Sequence, residues 1–249
     1  MELMLHCGAQ EATHQDLAAV PVPEVTNSYC PVTHDDLAKM LADMGQSILS
    51  GFELSKRQFG LSKDGQQLFG IHTFNNGRSD LGLSIGFRNS YDKTLSVGIA
   101  VGASVFVCDN LALTGDITVM RKHTLNVQSD LEQLAVTSIL KARTAFTQVS
   151  EDAEKMKELP LEDDNAFRLI GLLYGHGIIS PRQIPVTKRE WLEPQHAEFE
   201  PRTMWSFYNA ANAALKSAPP RTIMEKHLEL HKLLNQPAIN MQGWQYAEG

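Results

Sequence analysis

Residues 81–116 read LGLSIGFRNSYDKTLSVGIAVGASVFVCDNLALTGD, and this stretch decides the fold. Large apolar side chains alternate here with small ones, in two runs joined by a short polar link. The large ones are Leu81, Leu83, Ile85 and Phe87, then Leu95, Val97, Ile99 and Val101. Such alternation is typical of half-buried strands, and the short link predicts an antiparallel hairpin. Because glycine weakens a strand, the glycine-rich face is expected to lie under a helix, another backbone or a ligand.

The length and composition indicate a globular protein. At 249 residues, with 43% hydrophobic and 20% charged residues, the chain can bury a full core as one large domain or two small ones. No apolar run approaches the roughly 18–20 residues of a membrane span, and the acidic start of the chain does not resemble a signal peptide. Cys7, Cys30 and Cys108 lack a metal-type spacing and are expected to be free thiols in the cytoplasm of a host cell.

The net charge of −7 is unevenly distributed. Residues 55–145 hold ten Lys and Arg against seven Asp and Glu, whereas residues 1–54 and 146–249 are both net acidic. The hairpin region is therefore the basic part of an acidic protein. This bias permits contact with nucleic acid there, although it is far from a strong electrostatic footprint.

The order of the elements predicts an α+β fold, with sheet first and helices after. We expect an extended N-terminal arm over residues 1–30, an α+β core domain over 31–160 and a helical C-terminal region over 161–249. In the core domain, an antiparallel β-meander packs against a long helix at 127–158. The first helix is expected to start at Thr33, with Asp36 in a capping-box position, and further strands at 66–74, 105–108 and 117–120. Shorter helices are predicted at 166–174, near Trp191, at 203–216 and at 222–234.

The long helix carries an apolar seam with spacings of three and four residues: Ile139, Ala142, Phe146, Val149, Ala153 and Met156. We expect this seam to cover the sheet. The alternative is that part of the helix pairs with another subunit, as in a coiled coil.

Four stretches carry a family resemblance: YCPVTHDDL, FGLSKDGQQLFG, GFRNSYDKTLSVGIAVGASVFVCDN with LALTGD, and TMWSFYNAANAALK. Together they resemble the DUF932 family of domains of unknown function, over about residues 29–216. The resemblance implies a bacteriophage, prophage or plasmid origin. It implies no established activity, so no catalytic residue follows from it. At the level of architecture alone, the layout is also similar to that of single-strand annealing proteins, which form rings or filaments on DNA.

The loop after the first hairpin strand is the first candidate site. Arg88 and Lys93 are suited to phosphates and Tyr91 to stacking on a base. The alternative is an ordinary hairpin loop, in which Asn89 and Asp92 bond the backbone and Arg88 pairs with Asp92.

Two further basic pairs are candidates for the same groove. Arg121 and Lys122 follow the last predicted strand, while Lys56 and Arg57 precede the first. Charged pairs at strand ends are also common on solvated surfaces.

The other chemically suggestive residues are expected to be structural. Cys108 is followed by Asp109, an acid that does not favour a reactive thiolate. His227 and His231 share one helix face, but Leu228 stands where a metalloprotease motif has its general base, so a solvated helix face is expected. We predict no catalytic residue, cofactor or metal.

The leading hypothesis is a non-enzymatic, homo-oligomeric protein of a phage or mobile element that binds single-stranded nucleic acid. The alternatives are an acidic inhibitor that binds a host defence or metabolic enzyme, and a small-ligand sequestering protein that uses the bare face of the hairpin. No association with a membrane is expected.

Overall fold

The computed structural model describes residues 10–77, 81–105, 110–124, 126–219 and 222–236, with the backbone alone over most of 104–121. The fold is α+β, as predicted. Six strands form one antiparallel sheet in which each strand pairs with the next along the chain. They are β1 (Gln10–Ala12), β2 (Glu53–Ser62), β3 (Gln67–Asn75), β4 (Leu81–Ser90), β5 (Val97–Val105) and β6 (Asn110–Arg121).

The helices follow the predicted order with small shifts at their ends. They are α1 (His14–Ala19), α2 (His34–Ile48), α3 (Val127–Glu158), α4 (Asp163–Gly175), α5 (Ile184–Leu192), α6 (Met204–Leu215) and α7 (Ile223–Leu234), with a short 3₁₀ helix at Ala197–Phe199. Thr33 caps α2 by accepting a hydrogen bond from the backbone of Asp36, as its sequence predicts. No described helix combines the length and the hydropathy that a membrane crossing would require.

The predicted hairpin is β4 and β5. Its large residues are paired across the two strands, as in Ile85 with Val101 and Phe87 with Ile99. These side chains are fully buried in one hydrophobic core with residues of α2 and α3. The apolar seam of α3 is buried in the same core, so it covers the sheet and is not available to a second subunit.

The glycine-rich face lies under a helix. Phe69, Ile71 and Ala100 point to this face and pack in a separate small cluster with Ile223 and Met224 of α7. Ser84, which lies between two glycines of β4, is fully buried. A helix therefore covers this face, although a Cβ added at Gly86 would meet only the carbonyl oxygen of Ala100, at 3.9 Å, and no atom of α7.

Three elements were not expected: β2, β1 and α1. Lys56 and Arg57 do not precede the first strand but lie within β2. This strand was missed because it lies at the side of the sheet, where exposed charged residues interrupt its alternation. The described part of the arm is also not fully extended, since it contains β1 and α1. A capping box at the start of α1, between Thr13 and Asp16, was the available sequence signature.

The hydrophobic core continues across residue 160. Leu169 and Ile170 of α4 and Phe207 of α6 belong to the same cluster as the α3 seam and the sheet. The helical region therefore packs onto the sheet's own core, and the domain boundaries given above remain a prediction.

Candidate nucleic-acid interface

A buried polar network holds the end of the sheet where β4 turns into β5. The His34 ring is fully buried and lies face to face with the Tyr91 ring, at a centroid distance of 3.9 Å. His34 Nε2 donates to the carbonyl oxygen of Gly65 at 2.9 Å, while its Nδ1 lies 3.0 Å from Asn89 Nδ2. The Tyr91 hydroxyl accepts a hydrogen bond from the backbone N–H of His34 at 2.9 Å.

This network requires an uncharged histidine. With Nε2 donating and Nδ1 accepting from Asn89, both ring nitrogens of His34 are used in the neutral form. Burial lowers the pKa of His34 to about 4, against the weaker opposing effect of the Gly65 bond. Three of the stretches that carry the family resemblance meet here, because His34, Gly65 and the Asn89–Tyr91 segment come from different ones.

Two predicted site residues therefore serve the interior of the fold in this conformation. Tyr91 is 3% exposed, and its ring is stacked on a protein partner rather than open to a base. Arg88 is also buried and forms an ion pair with Glu225 of α7 at 2.8 Å. The predicted pairing of Arg88 with Asp92 is not formed, since Asp92 instead meets Lys63 at 3.1 Å. The contact of Arg88 and Tyr91 with nucleic acid remains a prediction.

The hairpin turn itself is held by Asp92. Its carboxylate accepts hydrogen bonds from the backbone and side chain of Thr94 and from Lys63. Burial acts to raise the pKa of Asp92, but these bonds outweigh it and hold the pKa at about 2. The turn therefore keeps its charge and shape over the physiological pH range.

Lys93 of the hairpin turn and the segment Arg121, Lys122 and His123 lie at the same end of the sheet, because the backbone of Arg121 pairs with Val97 just after that turn; we call these four residues the basic corner. Lys93 Nζ lies 4.4 Å from the centre of the Tyr29 ring, and that ring lies 5.4 Å from the ring of His123. Lys93 and Lys122 are both exposed. Arg121 is placed by its backbone, which pairs with Val97 just after the hairpin turn.

His123 directly follows Arg121 and Lys122 and belongs to the same predicted basic run. It is 7% exposed, and neither ring nitrogen has a hydrogen-bond partner among the described residues. Burial lowers its pKa. A contact between the ring and the Cys30 backbone acts in the opposite direction on this pKa, so the imidazole has a polar neighbour within the protein although no bond of full geometry is formed.

Lys56 and Arg57 lie elsewhere. They pair with Thr73 and His72, five to six residues along β2 from the hairpin end at Ser62. At about 3.3 Å per residue, this places them roughly 16–20 Å from that end. The structure thus brings Lys93, Arg121 and Lys122 together and separates Lys56 and Arg57 from them.

The paired histidines of α7 do not form the expected solvated face. His227 is 1% exposed and His231 8%. His231 lies between Asp152 of α3, with Nε2 at 3.4 Å from the carboxylate, and the Tyr208 hydroxyl, at 3.4 Å from Nδ1. The prediction of a solvated face was wrong because α7 packs against α3 and α6 on the side that carries these histidines. Within the described residues, no group of three or more potential ligands is placed to hold a metal ion.

Of the cysteines, Cys30 is a free thiol. Cys7 and Cys108 lie outside the described residues.

The family described as Domain of unknown function (DUF932) matches residues 22–231 of this chain. The match spans strands β2 to β6, helices α2 to α6 and most of α7, whereas β1 and α1 precede it. The chain belongs to this family. Comparison with curated proteins and with solved structures gives no match.

Proposed function

We propose that this protein is a non-enzymatic nucleic-acid-binding protein of a phage or other mobile element, and that its basic corner contacts single strands. The observation that carries this proposal is the placement of two exposed lysines, Lys93 and Lys122, at one end of the sheet, where the Tyr29 ring contacts both the Lys93 ammonium group and the His123 ring. Ammonium groups supply the sequence-independent attraction to phosphates, and an imidazole offers a further hydrogen bond to an oxygen.

The sheet supports a fixed geometry for this contact. The basic corner is anchored on one side by the His34–Asn89–Tyr91 network and on the other by a backbone bond from Cys30 to the His123 carbonyl, at 3.2 Å. Tyr91 thereby supports the corner from inside, whereas Arg88 pairs with Glu225 of α7. Cations held on a rigid frame lose less conformational entropy on binding than cations on a mobile loop.

The test is binding of a fluorescein-labelled single-stranded oligonucleotide, followed by anisotropy at several salt concentrations. We expect the Lys93→Gln/Lys122→Gln variant to bind at least ten-fold more weakly. The slope of its plot of log affinity against log salt concentration should be smaller in magnitude by about 1.4, because each phosphate contact to a single strand contributes about 0.7 to that slope. A Lys39→Gln/Lys155→Gln variant is the matched control, since these two exposed lysines lie in ion pairs on other helices.

The Lys39→Gln/Lys155→Gln control distinguishes the loss of a binding site from the general effect of removing two positive charges. If both double variants lose affinity equally, the basic corner is not the site. If the natural protein itself shows no salt-dependent binding, the proposed function is wrong. Size-exclusion chromatography with light scattering, with and without the oligonucleotide, tests the self-association that the proposal includes.

A protein partner is the second candidate. Val22 is 48% exposed and Val25 62%, and both belong to the proline-containing segment PVPEV at 21–25. Exposed apolar residues on a backbone rigidified by proline favour contact with another protein, such as the target of an inhibitor. A pull-down that survives nuclease and is lost in a Val22→Ser/Val25→Ser variant would support this function over the first.

A further inference from the structure

A groove separates α5 from α6. The two helices run antiparallel: Gln183, at the start of α5, donates to the carbonyl of Ala214 at 2.9 Å, whereas Trp191, near its end, meets the Phe207 ring at 6.0 Å. Between them lies an open cavity of about 310 Å³. This volume is at the lower end of the roughly 300–1,000 Å³ of small-molecule sites.

The groove exists because α6 presents small residues to it. Ala210, Ala213 and Ala214 form its floor, in the stretch NAANAALK. The lining residues run from Ser206 to Ser217, which corresponds to about 16 Å at 1.5 Å per residue. The groove is therefore long and narrow, with an apolar middle.

The two ends of the groove differ in chemistry. Lys216 and Ser217 lie at one end, which carries the positive charge of Lys216; the Ser217 hydroxyl donates to the Ala214 carbonyl at 2.8 Å and accepts from Gln183 at 3.0 Å. Glu190, Gln195 and His196 lie at the other. Glu190 is buried, and one of its oxygens accepts from Gln195 at 2.8 Å and from Arg189 at 3.3 Å. Arg189 lies on the rim, where its side chain is 60% exposed.

This distribution matches a ligand with an anionic end, an uncharged middle and a planar end that donates N–H bonds. We propose that the groove binds a nucleoside monophosphate: Lys216 meets the phosphate, the alanine floor packs against the sugar, and Glu190 accepts a hydrogen bond from the base. The His196 and Phe199 rings, 6.1 Å apart, lie at the base end and offer aromatic contact. Carboxylates accept from exocyclic amino groups of bases, so CMP, AMP and GMP fit better than UMP.

This inference goes beyond the proposed function, because the groove uses none of the residues of the basic corner. The nucleoside monophosphate group could belong to either of two ligands, a free nucleotide or the terminal nucleotide of a strand. Both would place one phosphate and one base in the groove.

The test is isothermal titration of the full chain with CMP, AMP and UMP, and with adenosine and inorganic phosphate as truncated probes. We expect saturable binding of CMP or AMP, at least ten-fold weaker binding of UMP, and no measurable binding of adenosine or phosphate alone. Lys216→Gln and Ala213→Leu, which fills the groove, should each lower the affinity at least ten-fold. Arg182→Gln is the control, since Arg182 is exposed near α5 but does not line the groove.

The outcomes are distinct from those of the first proposal. Absence of binding by all five probes, or unchanged affinity in Ala213→Leu with its thermal unfolding intact, overturns the groove as a nucleotide site. If Ala213→Leu binds a 5′-phosphorylated oligonucleotide more weakly than the natural protein, the ligand of the groove is the end of a strand. If its oligonucleotide binding is unchanged, the ligand is the free nucleotide. The Lys93→Gln/Lys122→Gln variant should retain mononucleotide binding whether or not the basic corner binds strands.

Discussion

The guanidinium of Arg88 lies 2.8 Å from the carboxylate of Glu225, although the two residues are 137 positions apart in the chain. The pair joins the glycine-rich face of the sheet to α7. Its two members differ in environment, since the Arg88 side chain is 8% exposed and that of Glu225 is 41% exposed. Loss of the carboxylate therefore leaves a buried charge, whereas loss of the guanidinium leaves a carboxylate that water already reaches.

Glu225→Gln should lower the free energy of unfolding by about 1–3 kcal/mol, because a buried cation loses its charged partner. Urea unfolding measures this change. The control is Glu229→Gln, one turn further along α7, where the exposed pair with Lys226 is expected to contribute less than about 1 kcal/mol. Equal effects of the two substitutions would show that the Arg88 pair has no special role.

Tyr91→Phe should lower the free energy of unfolding by about 1–3 kcal/mol. The ring and its stacking on His34 remain, but the backbone N–H at the start of α2 loses its acceptor in a buried site. Chemical denaturation measures the change against Tyr174→Phe. Because Tyr174 is 50% exposed, its substitution should change stability by no more than about 0.5 kcal/mol. A Tyr91→Phe protein as stable as the natural one would argue against the network.

The stability should decrease as the pH falls from about 6.5 to about 4. Burial lowers the pKa of both His34 and His72 from 6.5 to about 4, so the unfolded chain binds protons in this range while the folded chain does not. Each histidine contributes about 1.4 kcal/mol per pH unit. Urea unfolding across this range measures the slope.

His72→Gln is the diagnostic variant for this pH dependence. The amide can still donate to the carbonyl of Ala38, which His72 Nε2 does at 2.8 Å, but it does not titrate. The slope should become smaller by about 1.4 kcal/mol per pH unit, whereas substitution of the exposed His176 should leave it unchanged. If His72→Gln leaves the slope of the unfolding free energy against pH unchanged, the pH dependence does not come from His72.

Replacing two glycines that lie inside helices with alanine should change the stability of the protein in opposite directions. A Cβ at Gly45 of α2 would overlap the buried Phe74 ring, so Gly45→Ala should destabilise the protein by about 1–3 kcal/mol. A Cβ at Gly171 of α4 would meet no atom within 4 Å, so Gly171→Ala should stabilise it by about 0.5–1 kcal/mol. Thermal unfolding of both variants checks the two signs together.

The fold was predictable where one rule dominated the local sequence. The alternation in β4 and β5 and the seam of α3 each specify one buried face, and the structure has both. Strand β2 was not predictable in this way, because its first half carries exposed charged residues, Glu53 and Arg57, at the side of the sheet. The 10–19 segment was missed because the stability of β1 and α1 depends on the body they contact more than on their own residues.

The candidate site was harder to predict, since sequence does not show which polar residues are buried. Arg88 and Lys93 looked equivalent as cations near one turn, yet Arg88 faces inward to Glu225 while Lys93 is exposed. The alternation along β4 could have predicted part of this difference, because it places Arg88 on the same small-residue face as Gly86, and α7 covers that face. The histidines of α7 were misplaced for the same reason, because the covering helix and its partners α3 and α6 are distant in the chain.

The uninterrupted order of the six strands has a consequence for synthesis of the protein. From β2 onward, each strand finds its partner in the segment just before it, so the sheet closes through short loops at little entropic cost. Helix α7, in contrast, is translated more than a hundred residues after the face it covers. The nascent chain therefore carries a formed sheet with an open glycine face until α7 leaves the ribosome, and the docking of α7 is the step that ends this exposure.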